Sequence, residues 1–391
     1  MKIAMFSDSF YPVVGGRENV IDNSVKELIK NNKAFVCAPK IKGTLKGKSD
    51  NELPYKVLRC NSIRVGKLEY LSVPNKAFRK EVENENVDII HCQTKYGLLN
   101  YAFKLRKKYG IPVVTSIHTN YKDVYFSTKP KFIAKIGLKY VVRQLNKCDK
   151  IIAISNYMKQ QVESLGVNAP IQIIKNGVNF YQCKLTKQQQ FDFVNKTYNI
   201  DDDDFVFLYV GRVIKSKNIE FQLETIKQLA TLTDKKFKFV IVGNGQDEKY
   251  LQEKSKSLGI DDKVIFTGLV SDIENLYAIY SRADIFYFAS LTDNDPLTIV
   301  EAAFNSTPSL LVEKTGGAER IIHEKNGFVC KYDKSAFASM MLDILNGKYD
   351  LEKISQQANA TIPESWETVT NKYIEEYKKT ILDYKSKKNE H

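Results

Sequence analysis

Two cations follow an apolar run. Phe205–Val210 leads into Gly211-Arg212, and Lys215, Lys217 and Asn218 come directly after. Fixed positive charge beyond the C-terminal end of a parallel strand lies where open α/β sheets take their ligands. There Arg212 and Lys217 can grip a diphosphate and stabilise the negative charge that develops as it leaves; a solvated basic loop has the same composition. A second group is Thr292-Asp293-Asn294-Asp295-Pro296-Leu297-Thr298-Ile299-Val300-Glu301-Ala302-Ala303, after the run Ile285–Phe288. Asp293 and Glu301 flank seven residues, with the second acid expected on the first turn of an apolar helix. That spacing can set one carboxylate on sugar hydroxyls and the other on a ribose, with helix N–H groups from Leu297 and Thr298 facing phosphate. In the alternative, Asp293 or Asp295 merely caps the helix.

Two further signals lie in the first half. Gly15-Gly16 follows the first apolar run and the loop Tyr11-Pro12-Val13-Val14, and precedes a helical pattern. Glycines there let backbone approach a ligand and aim helix N–H groups at phosphate, and they equally suit a plain tight turn. His118, in Ser116-Ile117-His118-Thr119-Asn120-Tyr121, and His91, after Val87–Ile90, are two of only four histidines. Both stand at strand C-terminal ends, which favours a site role over that of a satisfied core histidine.

These residues need a scaffold of alternating elements. Apolar, β-branched runs predict strands at Ile3–Phe6, Ala34–Cys37, Val87–His91, Val113–Ser116, Ile151–Ile154 and Ile171–Ile174. A second series falls at Phe205–Val210, Phe237–Val242, Val264–Thr267, Ile285–Phe288 and Ser309–Val312. Amphipathic helical patterns separate them, so the βαβ signature of parallel sheets occurs twice. The 391 residues also exceed what one core usually serves. Asn176-Gly177 and the polar stretch Lys184–Gln190 mark the join. The expected domains are 1–180 and 181–364, with a C-terminal helix over 365–388 capped by Ser365. Val369, Tyr373, Ile374, Tyr377 and Ile381 recur along that helix at helical spacing.

No run approaches the roughly 20 apolar residues of a membrane span. The start, Met-Lys-Ile-Ala-Met-Phe-Ser-Asp, reads as a strand rather than a signal peptide. Six scattered cysteines lack metal-ligand spacing and read as reduced structural thiols, which points to the cytoplasm. Charge is lopsided: residues 1–180 hold 31 Lys and Arg against 14 Asp and Glu, whereas the remainder holds 28 against 32. The first half is built to meet something anionic.

Taken in order, these segments resemble the retaining glycosyltransferases of the GT-B fold, of the group 1 or family 4 type. The family includes relatives of sucrose and trehalose-phosphate synthases and bacterial glycolipid glucosyltransferases. The resemblance runs from Pro12-Val13-Val14-Gly15-Gly16 through Asp88-Ile89-Ile90-His91, Ile174-Lys175-Asn176-Gly177-Val178, Val210-Gly211-Arg212 with Lys217-Asn218, and Val242-Gly243-Asn244-Gly245. It continues to Thr315-Gly316-Gly317-Ala318-Glu319, Asn326-Gly327-Phe328 and Ser365-Trp366-Glu367. It implies an α/β fold of two Rossmann-like domains facing a cleft, with the C-terminal helix returning to the first. It also implies that Gly16 approaches the donor phosphate, that His118 contacts the donor sugar, and that Arg212 and Lys217 bind the diphosphate beside Gly211. Asp293 and Glu301 match the two acids of the family's Glu-x7-Glu motif, for sugar hydroxyls and ribose. Asp293 is one methylene shorter than the usual Glu, and Pro296 stands where glycine is common, removing a backbone donor. The family works without a metal or other cofactor on a nucleotide-sugar donor such as UDP-glucose, so the run Asp201–Asp204 reads as a solvated turn.

The acceptor is approached through a charge pattern. Lys131, Lys135, Lys139, Arg143 and Lys147 recur every four residues after Pro130. This predicts a helix with one cationic face, with Phe132, Ile133, Ile136, Tyr140 and Val141 largely off it. Such a helix can lie on an anionic leaflet as well as simply face water. The segment His118-Thr119-Asn120-Tyr121-Lys122-Asp123 is similar to that of diacylglycerol glucosyltransferases, which makes a membrane lipid the favoured acceptor and the inner face of the membrane a natural location. The same chemistry on a soluble or polysaccharide-linked acceptor is the alternative. A non-catalytic or nucleic-acid-binding protein ranks last, because no nucleic-acid-binding motif accompanies the basic half.

Overall fold

The computed structural model describes residues 1–13, 15–41, 47–64, 70–94, 97–128, 130–181 and 183–389; Val14 of the first loop lies outside them. The chain divides into two compact units. One is Met1–Gly177 with the C-terminal helix from Ser365 onward, and the other is Val178–Glu364. The second unit is tied at its two ends, where the Val178 N–H donates to the Glu364 carbonyl at 2.8 Å.

The strands of the first unit are β1 (Lys2–Phe6), β2 (Lys33–Pro39), β3 (Val57–Arg64), β4 (Tyr70–Val73), β5 (Ile89–Cys92), β6 (Val113–Ile117), β7 (Lys150–Ala153) and β8 (Ile171–Ile173). Those of the second are β9 (Phe205–Val210), β10 (Phe237–Val242), β11 (Val264–Gly268), β12 (Ile285–Phe288), β13 (Ser309–Val312) and β14 (Gly327–Cys330). The first sheet runs β4-β3-β2-β1-β5-β6-β7-β8 and the second β11-β10-β9-β12-β13-β14. Every pairing is parallel except β3 with β4. Ile3, Ala4, Met5 and Phe6 are wholly buried, as are Phe207, Leu208 and Tyr209. That is the pattern of central strands covered by helices on both faces, and it explains why they read as unbroken apolar runs.

Each sheet grows outward in both directions from its first strand. Strand order therefore reverses between β1 and β5, and again between β9 and β12. Ligands of such sheets sit at these switch points, outside the strand C-terminal ends. The loop after β9 carries Arg212 and Lys217, the loop after β12 carries Asp293, and the helix that follows it, Leu297–Phe304, carries Glu301.

Three strands went unread in the sequence. β3 mixes Arg59, Asn61, Ser62 and Arg64 into its run, β4 is a four-residue edge strand paired antiparallel, and β14 begins on Gly327. The C-terminal helix Trp366–Asn389 has the expected cap, the Ser365 hydroxyl accepting from the Thr368 N–H at 3.1 Å. Val369, Tyr373 and Tyr377 are wholly buried along it. The run at Asp201–Asp204 forms a turn, with Asp201, Asp202 and Asp203 exposed and Lys236 paired to Asp201 and Asp203. All six cysteines are free thiols, five of them buried.

Candidate functional site

In the second unit, the loop after β9 is shaped by the loop after β10. Gly243 has φ of +130°, and a Cβ there would run into the Gly211 carbonyl oxygen, so only glycine lets the two loops touch. The Val213 N–H donates to the Asn244 carbonyl at 2.9 Å, and the buried Tyr209 hydroxyl to the Arg212 carbonyl, also at 2.9 Å. The chain then makes a short turn over Lys215–Lys217 and enters the helix Ile219–Leu232 at Asn218, whose φ of 60° is left-handed. The Asn218 side-chain amide donates to the Ala289 carbonyl at 3.0 Å, which staples this loop to the one after β12.

Lys217 and Asp293 meet across the switch point. Lys217 Nζ lies 2.5 Å from Asp293 Oδ1, and the Ser290 hydroxyl donates to Asp293 Oδ2 at 2.5 Å. The two residues, expected from the sequence to serve a diphosphate and sugar hydroxyls, are thus partners in one ion pair. Arg212 is exposed and its side chain makes no hydrogen bond or ion pair among the described residues. Its charge is open to an incoming anion.

The capping alternative fails here. Pro296 occupies the N-cap of the helix Leu297–Phe304 and no side chain closes it. Asp295 is instead bound in bidentate fashion by Arg320, Nε to Oδ1 at 2.6 Å and Nη2 to Oδ2 at 2.9 Å, with both side chains 4% exposed or less. Arg320 also donates to the Ile362 carbonyl at 3.1 Å, so this pair anchors the 293–297 segment from behind. Nothing in the sequence pattern joined Asp295 to Arg320, 25 residues away.

No side chain caps the first-turn N–H groups of the helix Leu297–Phe304, among them those of Leu297 and Thr298. Thr298 Oγ1 is buried without a hydrogen-bond partner. Glu301 stands on the second turn rather than the first, because the helix begins only at Leu297. The Tyr280 hydroxyl donates to its Oε2 at 3.0 Å, and burial holds its carboxyl above the usual range.

The first unit brings together a different set. Gly15 is the N-cap of the helix Gly16–Asn31, and Gly16 opens it. A Cβ on Gly16 would meet nothing within 4 Å, whereas one on Gly15 would lie 2.6 Å from the Glu18 carboxylate. An anion at this terminus therefore meets the charge of Glu18 as well. His118 is half-buried just past β6, and burial followed by the charge of Arg17 lowers its pKa to about 3. His91 corrects the expectation of a second site histidine. It is wholly buried, with Nδ1 2.5 Å from the Tyr377 hydroxyl and Nε2 2.7 Å from Ser116 Oγ, and burial lowers its pKa to about 3 as well. Its ring is enclosed by protein and does not reach a ligand.

The basic helix spans Lys131–Leu145, with Pro130 at its N-cap rather than in its first turn. Lys147 lies past its end. Ala134, Leu138, Val141 and Leu145 are buried, while Phe132, Ile133 and Ile136 are exposed at 75%, 52% and 54%. At about 100° per residue, Phe132, Ile136, Lys139 and Arg143 fall within one sector of about 60°. The expectation that the large apolar residues lie off the cationic face is thereby corrected for Phe132 and Ile136. Farther along, Lys139, Arg143 and Lys147 line a shallow groove of about 470 Å³ together with Leu138, Val142 and Leu165.

By family the chain is a glycosyltransferase. Residues 14–181 match the family model Glycosyltransferase Family 4 and residues 190–361 match Glycosyl transferases group 1, so the chain belongs to this family and is a nucleotide-sugar-dependent glycosyltransferase. Among relatives, the alpha-monoglucosyldiacylglycerol synthase of Streptococcus pneumoniae is 26% identical over 362 residues, covering 90% of this chain and 80% of that protein. The enzyme of the same name from Acholeplasma laidlawii is 25% identical over 329 residues, covering 80% of each. HepE of Anabaena, solved in complex with UDP-glucose, superposes with a TM-score of 0.77 at 19% identity, over 97% of this chain and all of that one. The fold is GT-B.

Proposed function

We propose that this enzyme moves a hexose, glucose from UDP-glucose, to the hydroxyl of a membrane lipid such as diacylglycerol, with retention at the anomeric carbon and without a metal. The observation that carries the donor half is the cluster at the switch point of the second sheet. There an exposed Arg212, the Lys217–Asp293 pair, an uncapped helix start at Leu297 and Thr298, and Glu301 all border one strand reversal. As the bond between the anomeric carbon and the diphosphate oxygen breaks, negative charge gathers on the diphosphate. Arg212 and Lys217 supply the preorganised cations that stabilise it, which is the work a metal ion would otherwise do. Asp293 then serves the sugar hydroxyls and Glu301 the ribose.

The acceptor half is supported by the helix Lys131–Leu145. Large apolar side chains in water and cations on the same face suit the boundary of an anionic bilayer. No helix among the described residues is long and apolar enough to cross a membrane. The two relatives named for monoglucosyldiacylglycerol synthesis point the same way. The deciding experiment is a donor screen for nucleotide release with and without vesicles containing diacylglycerol. Release of UDP from UDP-glucose only with vesicles is the expected result. Equal turnover on soluble acceptors would move the acceptor off the membrane, and the absence of release with every donor would overturn the donor assignment.

A further inference from the structure

Asn218 stands at the N-cap of the helix Ile219–Leu232, yet its side chain makes no cap bond there. An asparagine in that place ordinarily turns its side-chain oxygen onto the first N–H groups of the helix. Here the amide is directed across the site instead. Its Nδ2 lies 3.0 Å from the Ala289 carbonyl oxygen and 3.0 Å from the hydroxyl of Tyr332, in the loop beyond β14. A carbonyl oxygen only accepts, which assigns the amide nitrogen to the Ala289 side. Ala289 is wholly buried and precedes Ser290, whose hydroxyl holds Asp293. A closed circuit results. It runs from Lys217 Nζ to Asp293, to Ser290, along the chain to Ala289, across to Asn218 and back along the chain to Lys217. The backbone of Lys217 is held as well: its N–H donates to the Ile214 carbonyl at 2.9 Å, and its carbonyl accepts from the buried Gln222 side-chain amide at 3.3 Å. A lysine carries its charge on a long flexible stem, so where that stem is rooted and what it pairs with decide where the ammonium stands.

We propose that Asn218 is a positioning residue for the transfer step: its left-handed backbone and its amide bond to Ala289 set the place of the Lys217 ammonium beside Asp293. This deepens the reading above, that Lys217 stabilises the departing diphosphate, and rests on it. A cation placed before the bond breaks needs no reorganisation as the charge develops, and a misplacement of about 1 Å can cost about a hundredfold in rate. Asparagine is one of the few residues besides glycine that enter the left-handed region readily. The position therefore asks for a conformation and for a donor, and substitution can separate the two.

The test is a double-mutant cycle on the full chain, read as UDP release from UDP-glucose under the acceptor conditions of the donor screen. Asn218→Gly keeps the left-handed backbone and removes the amide. Asn218→Asp keeps the shape but sets an acceptor against the Ala289 carbonyl. Asn218→Gly should lower kcat and kcat/KM together, about ten- to a hundredfold, the signature of an interaction lost in the transition state. Asn218→Asp should cost at least as much. In the Lys217→Ala background the same substitutions should change kcat by less than about twofold, because no ammonium is left to place. Effects that add in the cycle would show that Asn218 supports the fold alone, and wild-type kcat in Asn218→Gly would show that the amide places nothing; either overturns the proposal. If Asn218→Gly fails to fold, Asn218→Asp carries the same cycle. Should Lys217→Ala alone leave turnover unchanged, the diphosphate reading falls and this proposal with it. A slowed Lys217→Ala with additive Asn218 effects overturns this proposal only.

Discussion

Lys217 and Arg212 carry like charge in the same loop, yet their surroundings separate the consequences of removing them. Arg212 is exposed and unpaired among the described residues, so Arg212→Ala should leave the Tm nearly unchanged, as surface substitutions do to within about 0.5 kcal/mol. Turnover should still fall by the equivalent of about 2–4 kcal/mol if the guanidinium stabilises the departing diphosphate. Lys217→Ala should cost similarly in turnover but also lower the Tm, because Asp293 is left with only the Ser290 hydroxyl as a partner. A double-mutant cycle of Lys217→Ala with Asp293→Asn, read in thermal unfolding, should return a coupling of about 0.5–3 kcal/mol. Additive effects would mean that the pair contributes nothing. Glu301 behaves oppositely. Burial raises its folded-state pKa above the unfolded value of about 4.3. Its contribution to stability is full below that value and is lost as the pH rises through the folded pKa. At pH 7 the buried carboxyl is therefore a net cost compared with a neutral side chain. Glu301→Gln, which still accepts from Tyr280, should therefore raise the Tm at pH 7 and have little effect at pH 4. If the carboxylate holds a ribose, UDP binding by calorimetry should weaken by about 1.5–3 kcal/mol. A Tm that falls at pH 7 would contradict the first half of this expectation, and unchanged UDP affinity the second.

At the scale of elements, the helix Lys131–Leu145 offers a clean separation of stability from function. Phe132 and Ile136 are exposed, so replacing both with Ser should leave thermal unfolding essentially unchanged. On vesicles the same side chains would each bury apolar surface worth about 1.5–3 kcal/mol. Co-sedimentation of the double variant should therefore drop at least tenfold. Lys139→Ala with Arg143→Ala should weaken binding by about 1 kcal/mol per charge on anionic vesicles and by nothing on neutral ones. Binding indifferent to all four substitutions would remove this helix from the membrane. The elements also show where sequence reading works and where it stops. β1 and β9 announce themselves because a strand buried on both faces must be apolar throughout. β3, β4 and β14 do not, being polar-mixed, four residues long or begun on glycine, and held by neighbours distant in sequence. Charged residues at strand ends were legible as candidates from residue type and position. Their pairing was not, since Lys217 and Asp293 are 76 residues apart and Asp295 and Arg320 are joined only by the packing of two loops. His91 misled for the same reason. A histidine at a strand end looks alike whether ligand or protein closes over it, and here Tyr377 arrives 286 residues later.

At the scale of the whole molecule, the two units differ in how the chain assembles them. The second is one continuous segment, Val178–Glu364, closed by the bond between its own ends. The first is discontinuous, because the helix that begins at Trp366 belongs to it and comes from the far end of the chain. That helix buries Trp366, Val369, Tyr373 and Tyr377, and sets Glu376 3.3 Å from Lys150 in a mostly buried pair. Four such side chains at about 1.5–3 kcal/mol each amount to roughly the whole stability of an ordinary domain, about 5–15 kcal/mol. Residues 1–177 expressed alone should therefore lack a cooperative thermal transition and expose the faces of Tyr373 and Tyr377's former neighbours. Residues 178–364 should instead melt in a single transition. If the donor site lies wholly at the strand reversal between β9 and β12, that second fragment should also bind UDP measurably without its partner. Differential scanning calorimetry of both fragments, with and without UDP, separates the two claims. A cooperative melt of residues 1–177 would show that the C-terminal helix only decorates the first unit. A stable second fragment whose melt does not move with UDP would show that the loops of Arg212 and Glu301 are insufficient to hold the nucleotide.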